Sequence, residues 1–401
     1  MRVLVLTETF PTAEHPGRGI FIREQVTALA DRHEITVLFP RPWLPGIPSR
    51  WLESRARNLE VQIPPPTVLP IPVKRTPYLY IPRNREIRSR QLAALARREL
   101  FASGIRYDLV HAHWLSPPGL AAIRAVGHAP IPTIVTAHAG DVYRDLDQAA
   151  YRPAARTVVG RATRIIAVAD YFRGPLEGLG TDPSRMKIIP NGVDTRLFRP
   201  KERGAARLAL DLPPEGFLFL YVGNLEPAKG VLDTVHAFFS GVPEKARLLL
   251  AGTGSLWTDL ERRARHSEGR LILRGWQSHE SVSQYLAAAD CFVLPSYGEG
   301  NPVTVLESLC CGTPVIGSAI PALSSLIQPG QNGLLVPAGA VLELGTAMQE
   351  VTRRRWDTEA ISSRAQSRFG WTTVADQISS VYDEAVAECQ TRAGFGAQRR
   401  T

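Results

Sequence analysis

Short apolar runs alternate with helical patterns along this chain of 401 residues, and they constrain its fold more than any other feature. The runs have the length and composition of strands covered on both faces, and the helical stretches between them predict parallel sheets. They fall into two successive series. The first comprises residues 2–7, 35–39, 109–113, 134–138 and 165–168; the second comprises 217–222, 247–251, 271–273, 291–294, 314–316 and 333–336. The chain is therefore predicted to be an α/β protein with two Rossmann-like domains.

The length supports the same division, because a single core rarely grows beyond about 250 to 300 residues. The polar, proline-containing segment 190–214 separates the two series. Residues 1–190 are predicted to form the first domain and residues 191–370 the second. Segment 371–389 predicts a final helix with one apolar face, formed by Val374, Ile378, Val381 and Tyr382. The tail 390–401 is polar and contains glycine, so it is predicted to be disordered.

Two carboxylates, Glu299 and Glu307, lie eight positions apart where the strand at 291–294 is followed by a helix. Glu299 is placed at the carboxyl end of the strand and Glu307 about two helical turns further on. Ligands of open α/β sheets bind at that edge. We therefore expect each carboxylate to accept hydrogen bonds from vicinal hydroxyls, one set on a sugar and one on a ribose.

A glycine-containing loop follows the first strand of the second series. Gly223 and Gly230 bracket this loop, and Lys229 lies at its end. Exposed backbone amides and a lysine suit a diphosphate group. Gly252-Thr253-Gly254 is a weaker signal for a dinucleotide, because Trp257 occupies the position of the third glycine of that motif. A dehydrogenase is therefore disfavoured.

Ordered motifs over most of the chain resemble those of the retaining glycosyltransferases of family 4, whose signature is two glutamates separated by seven residues. These motifs are 189–194, 222–230, 295–307, 307–316 and 330–337. The resemblance implies the GT-B fold, with two Rossmann-like domains facing each other across a cleft and the final helix returning to the first domain. It also implies transfer of a sugar from a UDP-sugar or GDP-sugar to an acceptor hydroxyl. The Glu-Gly-Asn-Pro form of the motif occurs among enzymes of cell-surface polysaccharide assembly.

The resemblance also implies roles for individual residues. The catalytic set is His138, Glu299 and Lys229, and the first-domain loop for acceptor and phosphate is Gly17, Arg18 and Gly19. The donor-binding set is Gly223, Asn224, Lys229, Glu299, Gly300, Asn301, Pro302, Val303 and Glu307. Three positions depart from the family pattern. Asn224 replaces a common arginine, Arg18 replaces a glycine, and Pro302 lacks an N–H that would otherwise face the sugar.

We expect no metal cofactor, because Lys229 and helix amino termini can neutralise a leaving diphosphate. The resemblance implies a same-face displacement in which the leaving phosphate accepts the acceptor's proton. A sugar-nucleotide 2-epimerase of the same fold and a non-catalytic sugar-nucleotide-binding protein remain alternatives. His111 and His113 are expected on opposite faces of their strand, one in the core and one in the cleft, rather than as metal ligands.

The formal net charge of +9 is concentrated in one segment. Residues 41–106 carry thirteen basic and four acidic side chains, an excess equal to that of the whole chain. This segment predicts either a solvated arginine-rich surface or a face that docks on anionic lipid or on a pyrophosphate-linked acceptor. Nucleic acid is disfavoured, because prolines rather than aromatic residues lie between the bases.

Targeting signals and cysteines are simple to interpret. The chain has no apolar run long enough to span a membrane, and Glu8 interrupts the amino-terminal run too early for a signal peptide. A cytoplasmic location is expected, with peripheral binding to the inner face of the membrane if the basic segment docks.

The four cysteines, Cys291, Cys310, Cys311 and Cys389, have neither metal-ligand nor disulfide spacing and are expected to be structural thiols.

Overall fold

The computed structural model describes residues 1–12, 17–44, 71–82 and 84–398. The chain divides into two compact units, one formed by Met1–Asn191 with Val374–Thr401 and the other by Gly192–Thr373. Each unit is built around a parallel sheet with helices in the connections, so the predicted two-domain α/β class is confirmed.

The first unit begins with a strand and a helix, and this pair recurs along it. Its strands are β1 (Arg2–Leu6), β2 (Glu34–Leu38), β3 (Arg41–Trp43), β4 (Val73–Lys74), β5 (Pro77–Leu79), β6 (Leu109–His113), β7 (Thr133–Ala137), β8 (Arg164–Ala167) and β9 (Met186–Ile188). Its helices are α1 (Ile20–Ala30), α2 (Arg85–Ala102), α3 (Leu120–Val126), α4 (Arg152–Arg161), α5 (Arg173–Glu177) and, from the end of the chain, α14 (Trp371–Gln398).

The order of the strands identifies the functional edge of the first sheet. Within the described ranges the order is β4-β2-β1-β6-β7-β8-β9, and β3 pairs with β5 in a separate ribbon. The chain moves outward from β1 to β2 and then returns to β6 on the other side of β1. Beyond the carboxyl ends of β1 and β6, where the order reverses, open α/β sheets bind ligands.

The second unit repeats this plan. Its strands are β10 (Leu218–Val222), β11 (Arg247–Ala251), β12 (Leu271–Arg274), β13 (Cys291–Leu294), β14 (Val315–Ser318) and β15 (Gly333–Val336). Its helices are α6 (Arg203–Ala209), α7 (Val231–Gly241), α8 (Trp257–Arg265), α9 (His279–Ala288), α10 (Val303–Cys310), α11 (Pro321–Ser324), α12 (Val341–Arg353) and α13 (Thr358–Phe369). The sheet order is β12-β11-β10-β13-β14-β15, and it reverses between β10 and β13.

Burial follows from this layering. All five residues of β10 and all four of β13 are buried, as expected for parallel strands covered by helices on both faces. Cys291, Cys310 and Cys311 lie in the same core, and burial raises the pKa of the Cys310 thiol to about 12. These three cysteines are therefore protonated core side chains, in agreement with the prediction.

Helix α14 packs on the first unit through its predicted apolar face. Val374, Ile378, Val381 and Tyr382 are each at most 2% exposed. The Tyr382 hydroxyl lies 2.7 Å from His111 Nδ1, which ties the helix to β6. The helix extends to Gln398, so the structure and the predicted disordered tail 390–401 differ over residues 390–398. No proline interrupts this part of the sequence, and residues 399–401 lie outside the described ranges.

The prediction that His111 and His113 point to opposite faces of β6 is wrong. Their rings stack with centroids 4.7 Å apart, and neither side chain is exposed. Side chains two positions apart on a strand share a face, and only adjacent residues alternate. Both histidines are therefore core residues on one side of β6.

The basic segment 41–106 is described only in part, since residues 45–70 and Arg83 lie outside the described ranges. Several of its bases are engaged within the first unit. Arg85 forms a two-point contact with Asp145 at 2.9 Å, and Arg88 Nε lies 3.4 Å from Glu8 Oε1. Other bases, such as Arg75 and Arg98, are exposed. No helix among the described residues is long and apolar enough to cross a bilayer.

Candidate functional site

Two loops meet where the strand order of the second sheet reverses. One connects β10 to α7 and carries Lys229, and the other connects β13 to α10 and carries Glu299. Gly230 makes the approach of these loops possible. Its φ is +67°, and a Cβ there would lie 2.2 Å from the carbonyl oxygen of Pro295. The Tyr297 amide then donates to the Ala228 carbonyl oxygen at 3.0 Å, which joins the loops directly.

Lys229 and Glu299, predicted independently as site residues, form an ion pair. Lys229 Nζ lies 2.6 Å from Glu299 Oε1, and the side chains are 30% and 12% exposed. The Ser296 hydroxyl donates to the same oxygen at 2.7 Å, and Ser296 itself is fully buried. The structure therefore presents a lysine and a carboxylate already oriented at the carboxyl edge of the sheet. Sequence reasoning missed Ser296, although it lies within the quoted motif.

Glu307 is placed on α10 and is only 2% exposed. His279 Nε2, at the start of α9, lies 3.2 Å from Glu307 Oε1. The His279 ring packs nearly at right angles to the Phe198 ring, with centroids 5.3 Å apart. His279 thus orients the carboxylate assigned to ribose. No motif pointed to it, because the contact depends on the packing of α9 against α10.

The other donor-binding residues border these loops. Gly223 follows β10, and the exposed Asn224 accepts a hydrogen bond from the Tyr221 hydroxyl at its carbonyl oxygen, at 2.7 Å. Gly300, Asn301, Pro302 and Val303 lead from the loop into α10, and Pro302 directly precedes the first helical residue. The first amides of a helix have no intrahelical acceptor, so the N–H that Pro302 lacks would not have formed a hydrogen bond within α10.

The predicted first-domain residues lie at the corresponding edge of the first sheet. The loop Gly17-Arg18-Gly19 leads into α1, and Arg18 is exposed. Gly19 has φ +71°, and a Cβ there would lie 2.8 Å from the carbonyl oxygen of Thr9. Phe21, in the first turn of α1, has its ring centroid 5.2 Å from that of His138. The structure therefore brings the glycine loop and His138 to one edge of the first unit.

Asp141 holds the backbone around His138. Its Oδ2 accepts a hydrogen bond from the His138 amide at 2.9 Å, and its Oδ1 accepts from the Leu115 amide at 3.0 Å and from the Tyr151 hydroxyl. Burial raises the pKa of Asp141 to about 7, although these donors act in the opposite direction. One carboxyl group thus joins the segments after β6 and β7. Asp141 lies only three residues after His138, but its role also depends on contacts with Leu115 and Tyr151, which are more distant in the sequence.

Three buried histidines of the first unit, His111, His113 and His138, are neutral. Burial lowers the pKa of His111 and of His138 to about 3 and lowers that of His113 well below its ordinary value. His138 lies 6% exposed, with the Trp114 ring 4.8 Å from its own. A neutral imidazole can donate one hydrogen bond and accept another. His138 is therefore suited to hydrogen bonding rather than to carrying a charge at neutral pH.

The predicted site residues thus form two groups. His138 and the glycine loop belong to the first unit, whereas Lys229, both glutamates and the other donor-binding residues belong to the second. Among the residues that the structure describes, no three His, Cys, Asp or Glu side chains are grouped to hold a metal ion. The second group combines one cation with carboxylates at the edge where nucleotides bind to such sheets.

Comparisons with known proteins agree with this geometry. Residues 17–197 match the model of Glycosyltransferase Family 4, and residues 216–354 match that of Glycosyl transferases group 1. The teichuronic acid biosynthesis glycosyltransferase TuaC of Bacillus subtilis, as that protein is named, is 32% identical over 353 residues, which cover 85% of this chain and 86% of TuaC.

Two solved structures share the fold. Sucrose-phosphate synthase of Thermosynechococcus elongatus has a TM-score of 0.74 at 23% identity and covers 97% of this chain and 100% of its own. HepE of Anabaena in complex with UDP has a TM-score of 0.72 at 19% identity, and the match covers 96% of this chain and 100% of HepE. These likenesses extend over both units and are likenesses of fold.

Proposed function

The chain belongs to glycosyltransferase family 4 and has the GT-B fold, and from this premise we propose that it is a retaining glycosyltransferase using a nucleoside diphosphate sugar as donor. The observation that carries the proposal is the Lys229–Glu299 pair, 2.6 Å apart where the strand order of the second sheet reverses. A lysine at this edge can bind a diphosphate, and a carboxylate can accept hydrogen bonds from the hydroxyls of a sugar. The pair supplies both groups side by side.

The donor is a UDP-sugar or a GDP-sugar. HepE, which shares the fold, has been solved with UDP, and this supports a uridine nucleotide. We assign the diphosphate to Lys229 and the backbone around Gly223, the sugar to Glu299 and the ribose to Glu307. Glu307 is nearly buried, and His279 Nε2 lies 3.2 Å from one of its carboxylate oxygens.

The reaction is a same-face displacement. The bond between the anomeric carbon and the leaving phosphate oxygen breaks as the acceptor oxygen forms its bond on the same face of the sugar, and the leaving phosphate takes the acceptor's proton. Lys229 stabilises the negative charge that develops on the diphosphate. His138 donates a hydrogen bond to the donor sugar. The charge on Lys229 makes a divalent cation unnecessary, so EDTA should leave the rate unchanged.

The acceptor is a glycan or a lipid-linked glycan of the cell surface. TuaC, which matches most of this chain, is named for teichuronic acid biosynthesis, and this supports a role in polysaccharide or glycolipid assembly. Exposed bases of segment 41–106, including Arg75 and Arg98, dock the first unit on anionic lipid at the inner face of the membrane.

A donor panel tests the proposal. Purified protein is incubated with UDP-sugars and GDP-sugars, with and without a pool of membrane glycolipids, and release of the nucleoside diphosphate is measured. Release that depends on both one donor and the glycolipid pool supports the transferase. Conversion of the donor without any acceptor would instead identify a 2-epimerase. Binding without turnover across the whole panel would identify a non-catalytic sugar-nucleotide-binding protein.

A further inference from the structure

His113 meets His138 edge to edge inside the first unit. His113 Nδ1 lies 3.1 Å from His138 Nε2, and the ring planes differ by 19°. The ring centroids are 5.3 Å apart, so the rings lie side by side rather than one over the other. An N–H directed along one ring plane therefore points at the lone pair of the other nitrogen, as a hydrogen bond requires. One ring donates and the other accepts.

The second nitrogen of His113 decides which ring donates. His113 Nε2 is buried, and the described residues offer it no hydrogen-bond partner. A buried N–H without an acceptor is rarer and costlier than a lone pair without a donor. The proton of His113 is therefore on Nδ1, from which it donates to His138 Nε2. A doubly protonated His113 is disfavoured, because the residue has no exposed surface and its neighbours His111 and His138 are also imidazoles.

We propose that His113 is a positioning residue that holds His138 in the tautomer protonated at Nδ1, so that His138 presents an N–H donor to its ligand. This inference rests on the proposed function for the role of His138, but the tautomer itself does not depend on that role. His138 retains 6% of its surface exposed whereas His113 has none, so His113 acts only through His138. A neutral donor of fixed orientation suits an uncharged sugar oxygen better than it suits a phosphate.

The neighbouring contacts support a pre-organised donor. The His138 backbone amide is bonded to Asp141 at 2.9 Å, which fixes the start of the side chain. The rings of Trp114 and Phe21 pack against the imidazole, with centroids 4.8 and 5.2 Å away. His113 supplies the remaining constraint, because packing alone does not distinguish the two tautomers. Fixing a tautomer is a known task of a buried partner of a functional histidine.

Nitrogen NMR of the full chain tests the tautomer directly. With 15N-labelled histidine, and His138 assigned from its loss in His138→Gln, we expect a protonated Nδ1 and an unprotonated Nε2 at pH 7. In His113→Leu, which offers no hydrogen bond, we expect His138 to populate both tautomers. In His113→Asn, whose amide can donate from a position close to that of Nδ1, the wild-type tautomer should persist. A His138 protonated at Nε2 in the wild-type protein would overturn the proposal.

Kinetics separate positioning from packing. With the most active donor of the panel, kcat/KM should fall by roughly tenfold or more in His113→Leu and should be restored largely by His113→Asn. His111→Asn is the matched control. This variant changes the buried histidine that stacks on His113 and is hydrogen-bonded to Tyr382 and Thr136 rather than to His138. Its kcat/KM should stay within about twofold of wild type. Equal losses in both His113 variants would overturn the proposal. If His138→Gln itself keeps full activity, the function assigned to His138 fails, whereas the NMR result still decides the tautomer.

Discussion

Replacing Lys229 by methionine removes the positive charge at the carboxyl edge of β10 while keeping a long side chain. This lysine bonds to Glu299 at 2.6 Å, and the carboxylate is only 12% exposed. In the wild-type protein we expect Lys229 to pair with both a bound diphosphate and Glu299. In the variant the diphosphate would face the Glu299 carboxylate with no positive charge between them. A charge-assisted hydrogen bond contributes about 1.5 to 3 kcal/mol, so Kd for free UDP or GDP should rise about 10- to 150-fold.

Isothermal titration calorimetry with two further variants checks this reasoning. Glu299→Gln releases Lys229 from its ion pair, so affinity for the free nucleoside diphosphate should be unchanged or higher while affinity for the nucleotide sugar falls. Lys245→Met removes the same charge at an exposed position close to Arg247, where β11 begins, at the opposite edge of the sheet. A Lys229→Met protein within about twofold of wild type, or an equal loss in Lys245→Met, would refute the assignment.

Three further outcomes are expected. Gly230→Ala should lower the urea midpoint of unfolding. An alanine in the left-handed conformation costs about 1 to 2 kcal/mol, and its Cβ would also clash with Pro295. Gly298→Ala is the control, because its Cβ would enter open space and should leave the midpoint unchanged. Acidification from pH 7 to pH 5 should lower that midpoint, because the unfolded chain protonates four histidines whose pKa is depressed in the folded protein, whereas only two carboxyl groups of the described residues, Asp141 and Glu8, have a raised pKa that acts in the opposite direction; a rise would contradict this reasoning. The protein should co-sediment with anionic vesicles at low salt and less so at 1 M salt. Charge reversal at the exposed bases Arg75, Arg90 and Arg98 should also reduce binding, and equal recovery with neutral vesicles would exclude docking.

Much of the fold was predictable from hydrophobic runs. Strands such as β10 and β13 are apolar along their whole length because both faces are covered, and this pattern is visible in the sequence. The β3–β5 ribbon was not predicted, since its strands are short and rich in proline. The extension of α14 beyond Cys389 was also missed, because composition alone does not determine where a helix ends.

Candidate site residues could be named from the sequence, but their contacts could not. Glu299 and Lys229 were both named, yet their ion pair joins positions seventy residues apart and depends on the parallel pairing of β10 with β13. Asp141 lies three residues after His138, and His113 was named only as a core or cleft residue; their roles come from hydrogen bonds to Leu115 and His138. His279 had no sequence signal at all. Sequence spacing identifies candidates, and the folded sheet edge determines which of them touch.

The configuration at the anomeric carbon of the product tests the central claim most directly. Proton NMR of the reaction with the active donor and its acceptor would follow the anomeric signal from the nucleotide sugar to the product. Retention predicts that the first glycoside formed has the same anomeric configuration as the donor, accompanied by release of the nucleoside diphosphate. A glycoside of the opposite configuration would contradict the same-face displacement, and the absence of any glycoside would contradict the assignment as a transferase.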